Sequence, residues 1–141
     1  RLPQVRFAIN DIDAWRDDGL FDVILANAVL HWLPDHAALL PALAALLAAG
    51  GALAIQMPAN LDDPAHRLMQ EIAADGPWTE TLAQASSSAR TQLGSASWYY
   101  ELLRGSCRKV DVWRTTYYHA LPGGAGAIVE WFKGSGRLYF L

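Results

Sequence analysis

The sequence of 141 residues predicts one α/β domain built around a mostly parallel sheet that helices cover on both faces. Two observations support this fold class. The first is a pair of nearly continuous apolar runs, Phe21 to Ala26 and Ala52 to Met57, which are typical of strands buried on both faces. The second is a helical pattern between them that ends at Gly50-Gly51. A strand, a helix and a strand with short connections form a right-handed crossover unit.

The first predicted strand is Val5 to Ile9, where apolar and polar residues alternate before Asn10-Asp11. After the buried strand Phe21 to Ala26, Pro34-Asp35 opens the crossover helix. The apolar stripe of that helix consists of Leu39, Leu40, Leu43, Leu46 and Leu47.

The second half is predicted from cap and turn residues. Asp62-Asp63-Pro64 starts a helix that ends at Gly76-Pro77, and the weak periodicity from Thr79 to Gly94 indicates either a loose helix or a mobile segment. The remaining predicted elements are a helix capped by Ser97 and running through Arg104, a strand over Val110 to Tyr118, and a helix from Ala125 to Lys133. We therefore divide the chain into a central sheet with helices (1–76), a helical or loop insertion (77–105), and a later strand and helix (106–141).

Composition excludes some classes of partner. Lys and Arg number 11 against 14 Asp and Glu, so the net charge of -3 has the wrong sign for a nucleic-acid-binding surface. The longest apolar stretch is broken by Pro41 and Gly50-Gly51, so no membrane anchor is expected. The single cysteine, Cys107, cannot form an internal disulfide, and we expect a cytoplasmic protein.

In open α/β sheets, ligands bind beyond the carboxyl ends of the strands. The residues predicted to lie there are Asn10-Asp11-Ile12, Ala26-Asn27-Ala28, Met57-Pro58-Ala59-Asn60 and Tyr117-Tyr118-His119. An Asp in such a place can accept the exocyclic amine of an adenine, although its position alone favours a role in capping a turn or a helix.

The histidines, Arg114 and the tryptophans can be weighed for metal binding, pairing and core packing. The histidines His31, His36, His66 and His119 lack the spacing of zinc ligands, so no metal site is expected. Arg114, in the middle of its predicted strand, is open to a structural pairing. The tryptophans expected in the core are Trp15, Trp98, Trp113 and Trp131, whereas Trp32 suits the core and a binding site about equally.

Several blocks carry a resemblance to a known family. Asp11-Ile12 and the block Asn27-Ala28-Val29-Leu30-His31-Trp32-Leu33-Pro34-Asp35-His36 resemble the middle of class I methyltransferases that use S-adenosylmethionine. More narrowly, Gln56-Met57-Pro58-Ala59-Asn60 and Trp113-Arg114-Thr115-Thr116-Tyr117-Tyr118-His119 resemble the trans-aconitate 2-methyltransferase family.

The resemblance implies a doubly wound, Rossmann-like sheet, S-adenosyl-L-methionine as the cofactor, and methyl transfer to a carboxylate of a small polycarboxylic acid such as trans-aconitate. It implies that Asp11 and Ile12 contact the adenine and that Asn27 and Ala28 lie against the methionine part. The residues implied around the substrate are His31, Trp32, Tyr117, Tyr118 and His119. No catalytic acid or base is expected, because a carboxylate is already deprotonated at pH 7.

The sequence also departs from the family pattern. The family more commonly has glutamine at the place of His31. The first strands with their Gly-rich turn, the acidic residue that grips the ribose, and the last strand of the sheet are not in these residues. We therefore expect the chain to belong to a longer polypeptide and to be inactive alone.

Two alternatives stay open. One is a non-catalytic α/β fragment or interaction module that binds no cofactor and pairs through its open sheet edges. The other is a nicotinamide-dependent oxidoreductase of the same architecture. The oligomeric state is open as well, with a homo-oligomer among the alternatives.

Overall fold

A computed structural model describes residues 4–12, 15, 19–85 and 91–135. The chain divides into two compact units, one drawn from Arg1–Pro58 and Gly94–Val112 and the other from Ala59–Leu93 and Trp113–Leu141. The elements of the first unit are β1 (Phe21–Asn27), a 3-10 helix (Leu30–Trp32), α1 (His36–Ala45), β2 (Leu47–Gln56) and α4 (Ala96–Leu103). Those of the second unit are α2 (Pro64–Ala74), α3 (Thr79–Ala85) and α5 (Ala125–Ser135).

The first unit contains the crossover that the sequence predicts. β1 and β2 pair in parallel, with α1 between them in the chain, and the register runs from Val23 opposite Ala52 to Asn27 opposite Gln56. Two parallel strands joined through a helix confirm the α/β fold class and give a small, incomplete Rossmann-like sheet.

The end of α1 differs from the prediction that Gly50-Gly51 terminates it. α1 ends at Ala45, because the carbonyl of Leu46 accepts a hydrogen bond from the N–H of Phe21 at 2.9 Å and the chain enters β2 at once. Gly50-Gly51 lies inside β2, where the register shifts between Phe21 and Val23. The predicted helical stripe is therefore too long, since Leu47 at its end belongs to β2.

Glycine is required at Gly51 by the close approach of the two strands. A Cβ at Gly51 would lie 2.7 Å from the carbonyl oxygen of Phe21, closer than side-chain carbons approach backbone oxygens. Gly50 has a φ of +84°, which an L side chain rarely adopts. The glycine pair thus permits the irregular start of β2.

Two predicted strands, Val5 to Ile9 and Val110 to Tyr118, are wrong. Neither segment forms a strand, and β1 and β2 are the only strands in the described residues. Period-two alternation describes a pattern of side chains, but a strand also needs a neighbouring edge to hydrogen-bond with. In the part of the chain that the structure describes, β1 and β2 pair with each other, and neither segment joins them as a third strand.

In the described residues, helices do not cover both faces of β1. Ala26 is buried and Ile24 is half-buried on one face of β1, but Val23 and Leu25 on the opposite face are 62% and 72% exposed. α1 packs against β2 and α4.

The later helices lie close to their predicted positions. α2 begins with Asp63 as its N-cap and Pro64 in the first turn, and α5 covers the predicted range. α3 settles Thr79–Ala85 as helix, while Ser86 to Ser88 lie outside the described residues. The cap of α4 is Ser95 rather than Ser97, since the hydroxyl of Ser95 accepts the N–H of Trp98 at 3.1 Å.

Three of the tryptophans expected in the core are exposed instead. Trp98, Trp113 and Trp131 are each more than two-fifths exposed, and Trp15 is half-buried. The buried apolar side chains of the described residues are Ala26, Leu30, Leu40, Leu43 and Tyr99. In the described ranges, no helix combines the length and apolar character that crossing a bilayer requires.

Candidate active site

The turn after β1 begins with a strained residue. Ala28 has a φ of +52°, in the left-handed region that residues with a side chain seldom occupy. Its N–H donates to the carbonyl of Gln56 at 2.9 Å, which extends the pairing of β1 and β2 by one bond. The chain therefore turns sharply at the carboxyl end of β1, where Asn27 and Ala28 are both exposed. Such strain concentrates at ligand sites.

The short 3-10 helix Leu30–Trp32 follows this turn. The N–H of Trp32 donates to the carbonyl of Val29 at 3.2 Å, and the N–H of Leu33 donates to that of Leu30 at 2.9 Å. Leu30 and His31 are buried, whereas Trp32 is 43% exposed, with its ring centroid 4.9 Å from that of His31. One tight turn thus buries two side chains and leaves an aromatic surface accessible.

A buried histidine, His36, contacts this turn through a hydrogen bond to Leu30. The sequence alone predicts no functional role for it. Its Nε2 lies 2.8 Å from the carbonyl oxygen of Leu30, and its Nδ1 lies 2.7 Å from the hydroxyl of Tyr99 on α4. A signal was present in the sequence, because His36 shares the spacing i, i+4, i+7 with the buried Leu40 and Leu43. A histidine on a buried stripe requires polar partners.

One of these hydrogen bonds places a proton on Nε2 of His36. A carbonyl oxygen only accepts, so Nε2 carries the proton and donates to Leu30. Burial raises the pKa of the Tyr99 hydroxyl, and a backbone hydrogen bond with Gly94 opposes that rise only in part. The hydroxyl of Tyr99 is therefore protonated at neutral pH, and its oxygen lies 2.7 Å from Nδ1 of His36.

Asp11 and Ile12 belong to the same unit as the turn after β1. Asp11 is exposed and Ile12 is half-buried. The strand that was expected to precede them is absent, so their position comes from a turn at Ile12 rather than from the end of a ladder. The structure thus places Asp11, Ile12, Asn27, Ala28, His31 and Trp32 in one compact unit.

The other candidate residues, Tyr117, Tyr118 and His119, belong to the second unit. Tyr117 is 76% and Tyr118 is 95% exposed, and the ring of His119 lies 5.5 Å from that of Trp131 on α5. They do not follow a strand, as the sequence predicted, but lie on an irregular segment. Phenol and imidazole groups exposed in this way are available as hydrogen-bond donors.

Arg114 anchors this irregular segment within the second unit. Its guanidinium donates to the carbonyl of Ala59 at 2.8 Å and lies 3.8 Å from the carboxylate of Asp63, the N-cap of α2. Arg114 therefore has the structural pairing that its sequence position left open. Among the residues the structure describes, no three His, Cys, Asp or Glu side chains are grouped to hold a metal ion.

Comparisons with known proteins agree with these features. The family model described as "Methyltransferase domain" matches residues 1–126. The chain is 48% identical over 141 residues to the trans-aconitate 2-methyltransferase of Yersinia pestis (strain Pestoides F), and 47% identical over 142 residues to that of Methylobacterium radiotolerans. Each match covers 100% of this chain and 54% of the relative, so the chain spans about half the length of these curated relatives. The resemblance inferred from the sequence is confirmed, and the chain belongs to the methyltransferase domain family.

Proposed function

We propose that this chain forms the central part of an S-adenosylmethionine-dependent methyltransferase. Its substrate would be a carboxylate of a small polycarboxylic acid such as trans-aconitate, and its product a methyl ester. The observation that carries the proposal is the strained turn at Ala28, which presents Trp32 at the carboxyl end of β1 in a chain of the methyltransferase domain family. The names of the relatives supply the substrate class.

The residues at this turn suit the cofactor. Asp11 is exposed and can accept a hydrogen bond from an adenine amine, while the half-buried Ile12 offers an apolar contact for the ring. Asn27 is exposed where β1 ends, and the small side chain of Ala28 leaves room beside it. When bound, S-adenosylmethionine supplies a methyl group on a positively charged sulfur. Asp11, Ile12, Asn27 and Ala28 are the residues proposed to hold it.

The proposed reaction requires alignment rather than proton transfer. A substrate carboxylate is ionised at neutral pH, since its ordinary pKa is about 4, so no residue has to act as a general base. The contribution of the chain would be to hold the nucleophile in line and to exclude water from it. Trp32, with His31 packed beside it, provides a rigid aromatic wall for that purpose.

The substrate would be recognised by Tyr117, Tyr118 and His119. A chain with a net charge of -3 does not attract a polyanion by its overall field, so local donors have to bind the carboxylates. The two exposed phenols and the imidazole packed on Trp131 are suitable donors. Arg114 is assigned to holding the segment, because it already binds Ala59 and Asp63.

One observation favours the second candidate function, an interaction module that binds no cofactor. Val23 and Leu25 form an exposed apolar face on β1, which is typical of a surface that another element or protein covers.

The two candidates are separated by mixing the complete gene product that contains this chain with S-adenosylmethionine and trans-aconitate, then following ester formation by mass spectrometry. The proposed enzyme forms a methyl ester and S-adenosylhomocysteine in equal amounts. Absence of both products, together with no binding of S-adenosylhomocysteine, would favour the interaction module.

A further inference from the structure

Three elements of the first unit meet at one buried histidine. His36 is the first residue of α1 and only 4% exposed. Its ring joins the carbonyl of Leu30 in the 3-10 helix to the hydroxyl of Tyr99 in α4. The ring centroids of His36 and Tyr99 are 5.8 Å apart, so the two rings also pack on each other.

The carbonyl of Leu30 is the point at which this network reaches the candidate site. It accepts two hydrogen bonds, one from the N–H of Leu33 at 2.9 Å and one from Nε2 of His36 at 2.8 Å. Two donors on one carbonyl fix the plane of the peptide that connects Leu30 to His31. The direction of that peptide in turn sets where His31 and Trp32 lie.

We infer that His36 is a positioning residue that holds the turn after β1 in the form that presents Trp32 to the ligand, through its Nε2 donation to Leu30. The part of the inference that concerns the ligand rests on the proposed function. The part that concerns the geometry of the turn is independent of it.

The role of Tyr99 in this network is to hold the His36 ring from its other nitrogen. Its hydroxyl lies 2.7 Å from Nδ1, while Nε2 donates to Leu30 at 2.8 Å. Tyr99 therefore acts one step further from the turn than His36 does, and its loss should have a smaller effect there.

A purely structural role would be different, because His36 would then serve to join α1 to α4. The contact that matters would be Nδ1 with Tyr99, and the bond to Leu30 would be incidental. Two substitutions separate these roles. In His36→Gln the side-chain amide can reach the position of Nε2 and donate to Leu30, whereas in His36→Asn it can reach the position of Nδ1 and bind Tyr99.

The experiment compares His36→Gln, His36→Asn and Tyr99→Phe with the wild type in the complete gene product that contains this chain. The first readout is amide hydrogen exchange at Trp32 and Leu33, and the second is the dissociation constant for S-adenosylhomocysteine. We expect His36→Asn to speed exchange and weaken binding by about tenfold or more, the effect of one lost buried hydrogen bond. His36→Gln and Tyr99→Phe should stay within about threefold of the wild type.

The inference is overturned if Asn and Gln change exchange equally, or if Tyr99→Phe loosens the turn as much as His36→Asn. If the expected exchange pattern appears but the wild type binds no S-adenosylhomocysteine, the proposed function fails and the positioning of the turn stands.

A measurement on the wild type covers the case in which the His36 variants do not fold. Nitrogen-15 NMR of the imidazole should show a proton on Nε2 that exchanges slowly with solvent. Absence of a proton from Nε2, or its rapid exchange, would contradict the inference.

Discussion

Two segments that contain candidate residues, one in each compact unit, differ in how the chain holds them. In the turn from Asn27 to Trp32, the N–H of Ala28 donates to the carbonyl of Gln56. The carbonyl of Leu30 accepts from the N–H of Leu33 and from Nε2 of His36. The segment from Trp113 to His119 has no strand or helix, and it is held by Arg114 and by the contact of His119 with Trp131.

The difference shows which of the two segments is preorganised by these residues. The turn contains buried side chains and a strained backbone, so its geometry is set before a ligand arrives. The later segment exposes its tyrosines almost fully, and its order depends on a few surface contacts. We therefore expect substitutions near the turn to affect stability and cofactor binding. Substitutions in the later segment should affect turnover of the substrate.

The largest expected effect is on the sheet that supports the turn. Gly51→Ala would place a Cβ against the Phe21 carbonyl and force β1 and β2 apart, at a cost of about 2–3 kcal/mol in the free energy of unfolding. Urea unfolding followed by circular dichroism measures it. The matched control is Gly105→Ala, where a Cβ would meet nothing within 4 Å. Equal losses in the two variants would show that close strand approach does not explain Gly51.

A change in the later segment should separate substrate from cofactor. We expect Tyr117→Phe and His119→Ala to lower turnover of a tricarboxylate by about tenfold, because each removes one donor to a charged group. Their affinity for S-adenosylhomocysteine should stay at the wild-type value.

The control for this pair is Tyr100→Phe, which removes an exposed phenol of α4 in the first unit. It should leave both turnover and affinity unchanged. Equal losses of turnover and cofactor affinity in Tyr117→Phe or His119→Ala would argue against their place beside the acid.

The smallest expected effect is a pH dependence of stability. Burial raises the pKa of Tyr99 in the folded chain, so the folded state keeps this proton at pH values where the unfolded chain has lost it. The resulting stability is complete below the unfolded tyrosine pKa of about 10 and is lost as pH rises through the folded pKa.

Urea unfolding at a series of pH values above about 9 would measure this loss. Tyr99→Phe should lose less stability with rising pH than the wild type, whereas Tyr100→Phe, which keeps Tyr99, should follow the wild type. Identical slopes for all three would contradict the assignment.

The sequence allowed local features of the fold to be predicted. β1 and the second half of β2 follow from continuous apolar runs, and the starts of α1 and α2 follow from Asp35 and Asp63 ahead of their first turns. These signals lie within a few residues of the element that they predict.

Features that depend on distant partners could not be predicted in this way. The alternation at Val5 to Ile9 gives no information about a neighbouring strand. The helical pattern likewise predicts an α1 that continues past Ala45, because the hydrogen bond of Leu46 to Phe21, which is distant in the sequence, cannot be read from local residues. His36 and Tyr99 are 63 positions apart, so their pairing was not visible either. The assignments of Asp11, Ile12, Asn27, Ala28, His31, Trp32, Tyr117, Tyr118 and His119 to ligands remain predictions.

The central claim is that the carboxyl end of β1, together with Asp11, binds the cofactor, and calorimetric titration with S-adenosylhomocysteine tests it most directly. For the complete gene product that contains this chain, we predict saturable binding of one ligand, weakened about tenfold or more by Asp11→Ala. The control Asp22→Ala, at the opposite end of β1, should bind as the wild type does. Absence of binding to the wild type, or equal weakening by both substitutions, would contradict the claim.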